Sequence, residues 1–238
     1  MPIDIDVRFR DAVQYYWTGR LKQREKQNEA GKIDAGSRGD VTGGGHMGAL
    51  ELLVKDLLIE FSVKQEDIFT KTRLELPGYF RSTKKWDLLV ISRQQLVMAL
   101  EFKSIGGSYG NNLNNRTEEA LGNAGDVWTA YRKGRFGNGP RPLLGYQFLL
   151  RDEPKVLRPV SNKEPHFKVD PIFDGASYAT RAEILCRRLV LERLYDTACL
   201  LLSTNEVPTT ITEPADDLTF RRFIAAIRGQ VVTWLASC

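Results

Sequence analysis

Two short apolar runs, Leu88-Leu89-Val90-Ile91 and Leu96-Val97-Met98-Ala99-Leu100, stand on either side of Ser92-Arg93-Gln94-Gln95. Four or five aliphatic residues closed by polar ones predict buried strands, and the polar tetrad between them predicts a hairpin turn. A third run, residues 143–150, predicts another buried strand, and residues 72–76, ahead of Pro77-Gly78, predict one set beside the strand that starts at Asp87. The sheet therefore has at least four strands. From Arg116 onward, Ala120, Leu121, Ala124, Val127, Trp128 and Tyr131 recur every three or four residues, the period of an amphipathic helix that ends at Gly134. Similar stripes predict helices over residues 7–30, 47–61, 182–202 and 218–235. Leu52 and Ile59 lie nearly opposite the main stripe of the 47–61 helix, which predicts cover on two sides, by another layer or a dimer partner. Residues 104–115, 151–177 and 204–217 carry loop composition.

Charges interrupt the paired strands near their outer ends: Asp87 before the first, Glu101 and Lys103 after the second. Side chains alternate faces along a strand, so Glu101 and Lys103 project from one side and Phe102 from the other. Asp87 joins them only in one register. A three-residue loop of Arg93, Gln94 and Gln95 pairs Asp87 with Glu101, whereas a two- or four-residue loop pairs it with Leu100, and one residue of slip scatters the trio. Two converging carboxylates offer hard oxygen ligands suited to Mg²⁺, and an ammonium beside them can orient or deprotonate an attacking water or stabilise developing charge. Phosphodiester hydrolysis is the reaction this set implies. Charges at strand ends also commonly face solvent without any chemistry, so the surroundings have to decide.

Those surroundings are unusual for a core. Ser104-Ile-Gly-Gly-Ser-Tyr-Gly-Asn-Asn-Leu-Asn-Asn-Arg leaves directly from the charged strand, rich in glycine that admits close backbone approach and in Asn and Arg that bond base edges and phosphates. Beyond the helix, Arg132-Lys133-Gly134-Arg135-Phe136-Gly137-Asn138-Gly139-Pro140-Arg141 forms a basic loop suited to clamping phosphate. Arg132 and Lys133 serve equally well as complements to the helix dipole.

Composition is that of an ordinary globular protein: 238 residues, 42% hydrophobic and 27% charged, enough for one domain, with a core at residues 47–150 and the terminal helices packed on it. The net charge of only +4 requires local basic clusters for any attraction to phosphates. Cys186, Cys199 and Cys238 are too widely spaced for a disulfide framework or a zinc site, and two of them fall in expected helices. No apolar run is long enough to span a bilayer, and the N-terminus, with Asp4, Asp6, Arg8 and Arg10, lacks a signal peptide's apolar core, so a cytoplasmic protein is expected. Gly43-Gly-Gly-His-Met-Gly has dinucleotide-turn spacing without the strand that motif needs. His46 and His166 have no ligating partners nearby in sequence, and Gly106-Gly-Ser-Tyr-Gly lacks the helix that follows a serine nucleophile.

Lys85-Trp-Asp-Leu-Leu-Val, Leu100-Glu-Phe-Lys-Ser, Tyr109-Gly-Asn-Asn-Leu-Asn-Asn-Arg-Thr-Glu-Glu-Ala-Leu-Gly and Asp126-Val-Trp-Thr-Ala-Tyr-Arg together resemble the XhoI family of type II restriction endonucleases, within the PD-(D/E)xK nuclease superfamily. The resemblance is most distinctive over residues 74–135. It implies an α/β, restriction-endonuclease-like fold, a central mixed β-sheet flanked by helices with the site at a sheet edge. Asp87 and Glu101 would be metal ligands, the Phe102 carbonyl would complete the shell, and Lys103 would be the catalytic lysine. Trp86 replaces the motif's proline, which does no chemistry. Glu51 is the candidate for an auxiliary ligand, since this superfamily often places a helix glutamate near the metals. Asn114, Asn115, Arg116, Arg135 and Arg141 are the candidates for DNA contact. Also implied are Mg²⁺, duplex DNA cut at a six-base palindrome (CTCGAG in the best-known members), a homodimer matched to that two-fold site, and a DNA methyltransferase as genetic partner. A structure-directed repair nuclease of the same fold and a non-catalytic DNA-binding module are the alternatives.

Overall fold

The computed structural model describes residues 4–29 and 47–237, residues 21–29 as backbone only. The glycine-rich stretch at 31–46, His46 within it, and Cys238 lie outside the residues described. Eight strands are described: β1 (Ile68–Phe69), β2 (Glu75–Pro77), β3 (Thr83–Lys85), β4 (Leu88–Ser92), β5 (Gln95–Ile105), β6 (Leu143–Arg151), β7 (Thr197–Ser203) and β8 (Ile211–Thr212). The helices are α1 (Ile5–Glu29), α2 (Gly48–Glu60), α3 (Tyr109–Arg132), the single turn α4 (Pro154–Leu157), α5 (Tyr178–Leu191) and α6 (Phe220–Ala236).

Six strands form one mixed sheet in the order β1-β4-β5-β6-β7-β8. The β5–β6 and β6–β7 pairs are parallel and the rest antiparallel, with helices on both faces. Parallel central strands are covered on both sides, which is why β6 and β7 are almost wholly apolar. Alternate residues feed two cores. Leu89, Ala99, Tyr146 and Phe148 pack with α3 and α5, while Leu88, Val90, Leu100 and Phe102 pack with α1, α2 and α6. The α/β architecture expected from the sequence is thus present.

Four expectations are corrected. Residues 182–202 are not one helix: α5 stops at Leu191, Arg193 turns the chain with φ 57°, and Thr197–Ser203 becomes a buried parallel strand that carries Cys199. A short aliphatic run fits either state by periodicity, and the vacancy beside β6 decides it. The strand expected at 72–76 forms as Glu75–Pro77 and pairs with β3 in a separate hairpin, while β1 takes the place beside β4. The expected loop at 104–115 is the end of β5 followed, from Tyr109, by helix α3, so the asparagines sit on helical turns. Asn112 and Asn114 spend their amides on the Gly107 carbonyl and Glu118. Finally, Leu52 and Ile59 are exposed among the described residues, so no second layer of those residues covers this stripe of α2, and of the two covers expected only the dimer partner is left untouched by this.

Candidate active site

The β4–β5 turn has two residues, Arg93 and Gln94, both with positive φ (51° and 62°), the geometry of a tight hairpin that twists with its strands. That loop length alone would set Asp87 against Leu100. However, Val97 is bulged out between Ile91↔Leu96 and Val90↔Met98, which advances the register by one, so Leu88 pairs with Leu100 and Asp87 falls opposite Glu101.

Strand β4 begins only at Leu88, leaving the flank of β5 beyond Leu100 without a strand partner. The site occupies this local edge of two otherwise inner strands rather than the rim of the whole sheet. Asp87 closes the gap: its Oδ2 accepts the Phe102 N–H at 2.8 Å. In an extended strand one residue's N–H and C=O leave from the same edge, so the Phe102 carbonyl opens toward Asp87 as well.

Lys103 Nζ lies 2.8 Å from Glu101 Oε1 and 3.9 Å from Asp87 Oδ2. The sheet register therefore gathers the three charges as expected. Glu101 is 1% exposed, and donors crowd it: Asn123 Nδ2 reaches both carboxylate oxygens at 2.9 and 3.0 Å, Tyr195 Oη donates to Oε2 at 3.0 Å, and Lys84 Nζ approaches Oε1 at 3.2 Å. Burial alone would raise the Glu101 pKa, but Lys103, Lys84 and Asn123 overcome it and hold the carboxylate well below its usual range. Burial would likewise lower Lys103, yet Glu101 and Asp87 raise it, so the ammonium is charged at neutral pH. Asp87 goes the other way: burial raises it, and neither Lys103 nor the Phe102 amide offsets that fully.

Glu51 approaches from α2. Burial first, then the charge of Asp87, push its pKa up to about 8, against Lys103 and Lys85. Glu51, destabilised as an anion by burial and Asp87, and Asp87, destabilised by burial and Glu101, form a donor set that a divalent cation would relieve. The residues present fit such an ion: Asp87, Glu101 and Glu51 offer oxygens beside the Phe102 carbonyl, although among the described residues no three such side chains already converge on one point.

The candidates for DNA contact are not gathered in the same way. Arg116, on the second turn of α3, is close enough to Lys103 for its charge to oppose part of the rise in the lysine's pKa, and its Nη1 pairs with Glu119 at 2.5 Å. Asn114 and Asn115 are exposed on the same turns. Arg135 and Arg141 lie at the opposite end of β5. The Phe136 carbonyl accepts the Leu96 N–H there, about 17 Å along the strand from Glu101. Arg141 pairs with Asp196 and rests 3.9 Å from the Trp128 ring centroid.

Three residues around Glu101 escape a reading of the sequence. Asn123 had a signal, a polar residue on the buried stripe of α3 between Ala120 and Ala124, where an amide must find a partner. Lys84 packs 4.7 Å over the ring of Trp86, which fills the motif's proline position as a fully buried wall. Tyr195 had no signal, because it sits in the turn hidden inside the expected long helix.

A model of the restriction endonuclease XhoI family matches residues 26–212. The chain belongs to the XhoI family of restriction endonucleases. It is 44% identical over 213 residues to the type II restriction enzyme BstVI of Geobacillus stearothermophilus, covering 86% of this chain and 95% of that one. It is 46% identical to AbrI of Azospirillum brasilense (69% and 75% covered) and 42% identical to XhoI of Xanthomonas vasicola (76% and 73% covered), both type II restriction enzymes. No solved structure matches. Membership makes this XhoI-family chain a sequence-specific DNA endonuclease, of a class that generally needs a divalent metal ion. Among the described residues no helix is long and apolar enough to cross a membrane.

Proposed function

We propose that the Asp87, Glu101 and Lys103 cluster is the centre at which this enzyme hydrolyses duplex DNA with Mg²⁺, cutting a six-base palindrome, CTCGAG by family resemblance, as a cytoplasmic homodimer. The convergence of these three side chains at the open flank of β5 carries the reading. Asp87 and Glu101 would hold the ion with the Phe102 carbonyl, and Glu51 would assist. When bound, such an ion polarises the scissile phosphate and lowers the pKa of water. Lys103 is charged, so it acts as a donor that orients the attacking water and stabilises charge developing on phosphorus, rather than as a free base. Asn123 and Tyr195 fix the Glu101 carboxylate so that the lysine is aimed from a rigid base. A homodimer suits a two-fold site because each subunit then cuts one strand.

Digesting plasmid with protein and Mg²⁺, then sequencing the fragment ends, tests the reading. Discrete fragments with one common end sequence are expected, and Lys103→Ala should cut about 100-fold more slowly or worse. Undiminished cutting by that variant would remove the assignment, and sedimentation of the free protein as a monomer would remove the dimer.

A further inference from the structure

The β2–β3 hairpin (residues 75–85) ends in Gly78-Tyr79-Phe80-Arg81, and its two aromatic rings point into solvent, 52% and 76% exposed. They meet edge to face with centroids 4.9 Å apart. Large aromatic side chains held in water cost free energy, so a rigid exposed pair calls for a ligand. This pair is rigid. Asp126 Oδ1 on α3 accepts the amides of both Tyr79 and Phe80, at 2.6 and 2.8 Å, and its Oδ2 takes Arg81 Nε at 2.6 Å. A Cβ on Gly78 would come within 2.6 Å of both Asp126 Oδ2 and the Arg81 carbonyl, so only glycine lets the tip seat on the helix.

The tip is tied to the active site at two points. Arg81 Nη2 donates to Asn123 Oδ1 at 2.8 Å, and the amide nitrogen of the same Asn123 grips Glu101. Lys84, on β3 of this hairpin, reaches Glu101 itself. Charge supplies the second argument. Residues 71–85 hold Lys71, Arg73, Arg81, Lys84 and Lys85 against the single acid Glu75, a net +4 equal to the excess of the entire chain. This segment and the loop at residues 132–141 are two local basic clusters, and the one at 71–85 adjoins Glu101.

We infer that the Tyr79–Phe80 tip is a DNA-contacting wedge that stacks against bases of the duplex beside the scissile phosphate, while the basic residues around it hold the flanking backbone. The inference rests on the endonuclease reading above. Apolar side chains inserted at a base step unstack it, and a stacked aromatic contributes enough that its removal weakens binding about tenfold. The hydrogen bonds through Arg81 and Asn123 would then register the wedge to the position of Glu101.

Tyr79→Ala, Phe80→Ala and the double variant test this, because exposed tip residues can be truncated without loss of the core. Affinity is read by fluorescence anisotropy, without divalent ions, on a duplex oligonucleotide that spans the cut site mapped on plasmid. The same duplex with 2-aminopurine at steps flanking the cut reports unstacking. The expected result is a fluorescence rise with the parent protein, lost in the double variant, with affinity about tenfold or more weaker and an unchanged sedimentation coefficient. Parent-like affinity and fluorescence in the double variant would overturn the wedge while leaving the endonuclease intact. Loss of affinity together with a change in oligomeric state would overturn it in favour of contact with a second copy. A parent protein that neither bound nor cut plasmid DNA would remove the functional reading and the wedge with it.

Discussion

The hydroxyl of Tyr195 donates to Oε2 of Glu101 at 3.0 Å, linking residues 94 positions apart in the chain. With Asn123 on both oxygens and two lysines on Oε1, a carboxylate withdrawn from water is kept ionised by its neighbours. Such saturation fixes the rotamer of Glu101 before substrate or metal arrives, and pre-organisation of this kind is where a charged centre gains most.

Removing that donor has a defined cost. Tyr195→Phe should destabilise the fold by about 1.5–3 kcal/mol, the worth of a hydrogen bond to a buried charged group, and slow cleavage about tenfold. Chemical denaturation gives the first quantity and single-turnover cleavage the second. A variant as stable and active as the parent would show that Asn123 and the lysines suffice.

Glu51 gives a pH dependence whose sign can be worked out. Its folded pKa of about 8 exceeds the ordinary 4.5, so between those values the native protein holds a proton that the unfolded chain has released. Stability then falls as pH rises through this window. Melting temperatures of the parent and of Glu51→Gln, compared from pH 5 to pH 8, should diverge in favour of the variant. A difference that stays flat across the window contradicts the shift.

A metal ion at the same place competes with that proton. Mg²⁺ should bind more tightly at pH 8 than at pH 6 and release protons on binding, because its ligands must be deprotonated. Calorimetric titration in two buffers of different ionisation enthalpy counts the protons, and Glu51→Gln should reduce the count.

The β4–β5 turn can be improved without touching the chemistry. Arg93 and Gln94 occupy left-handed backbone that Asn-Gly adopts with less strain, so Arg93→Asn with Gln94→Gly should stabilise the protein by about 1 kcal/mol. The turn is about 20 Å from Glu101 along β5, so cleavage rates should stay within twofold of the parent. Denaturation curves beside plasmid digestion check both halves.

Arg141 is held by Asp196 and Trp128, so Arg141→Ala should cost about 1 kcal/mol of stability through the lost ion pair and ring contact. DNA affinity should change less than threefold. A tenfold loss in anisotropy titrations, with stability unchanged, would restore this arginine as a DNA contact.

The sequence by itself determined the hairpin of buried strands, the shared face of Glu101 and Lys103, the helices of clear period and the family, because each rests on alternation or spacing within a few neighbouring residues. The helix that should have run through residue 202 shows the limit. Its last third is a strand because β6 offers an unpaired parallel edge, and no local pattern reports that edge.

The site was divided in the same manner. Three charges were legible, yet the sequence left open whether Asp87 faces Glu101 or Leu100. Tertiary structure decided it with the bulge at Val97, and it alone brought Lys84, Asn123 and Tyr195 to one carboxylate. Register and convergence are set by packing and hydrogen bonds between segments distant in the chain, whereas periodicity records only which side of its own element a residue occupies.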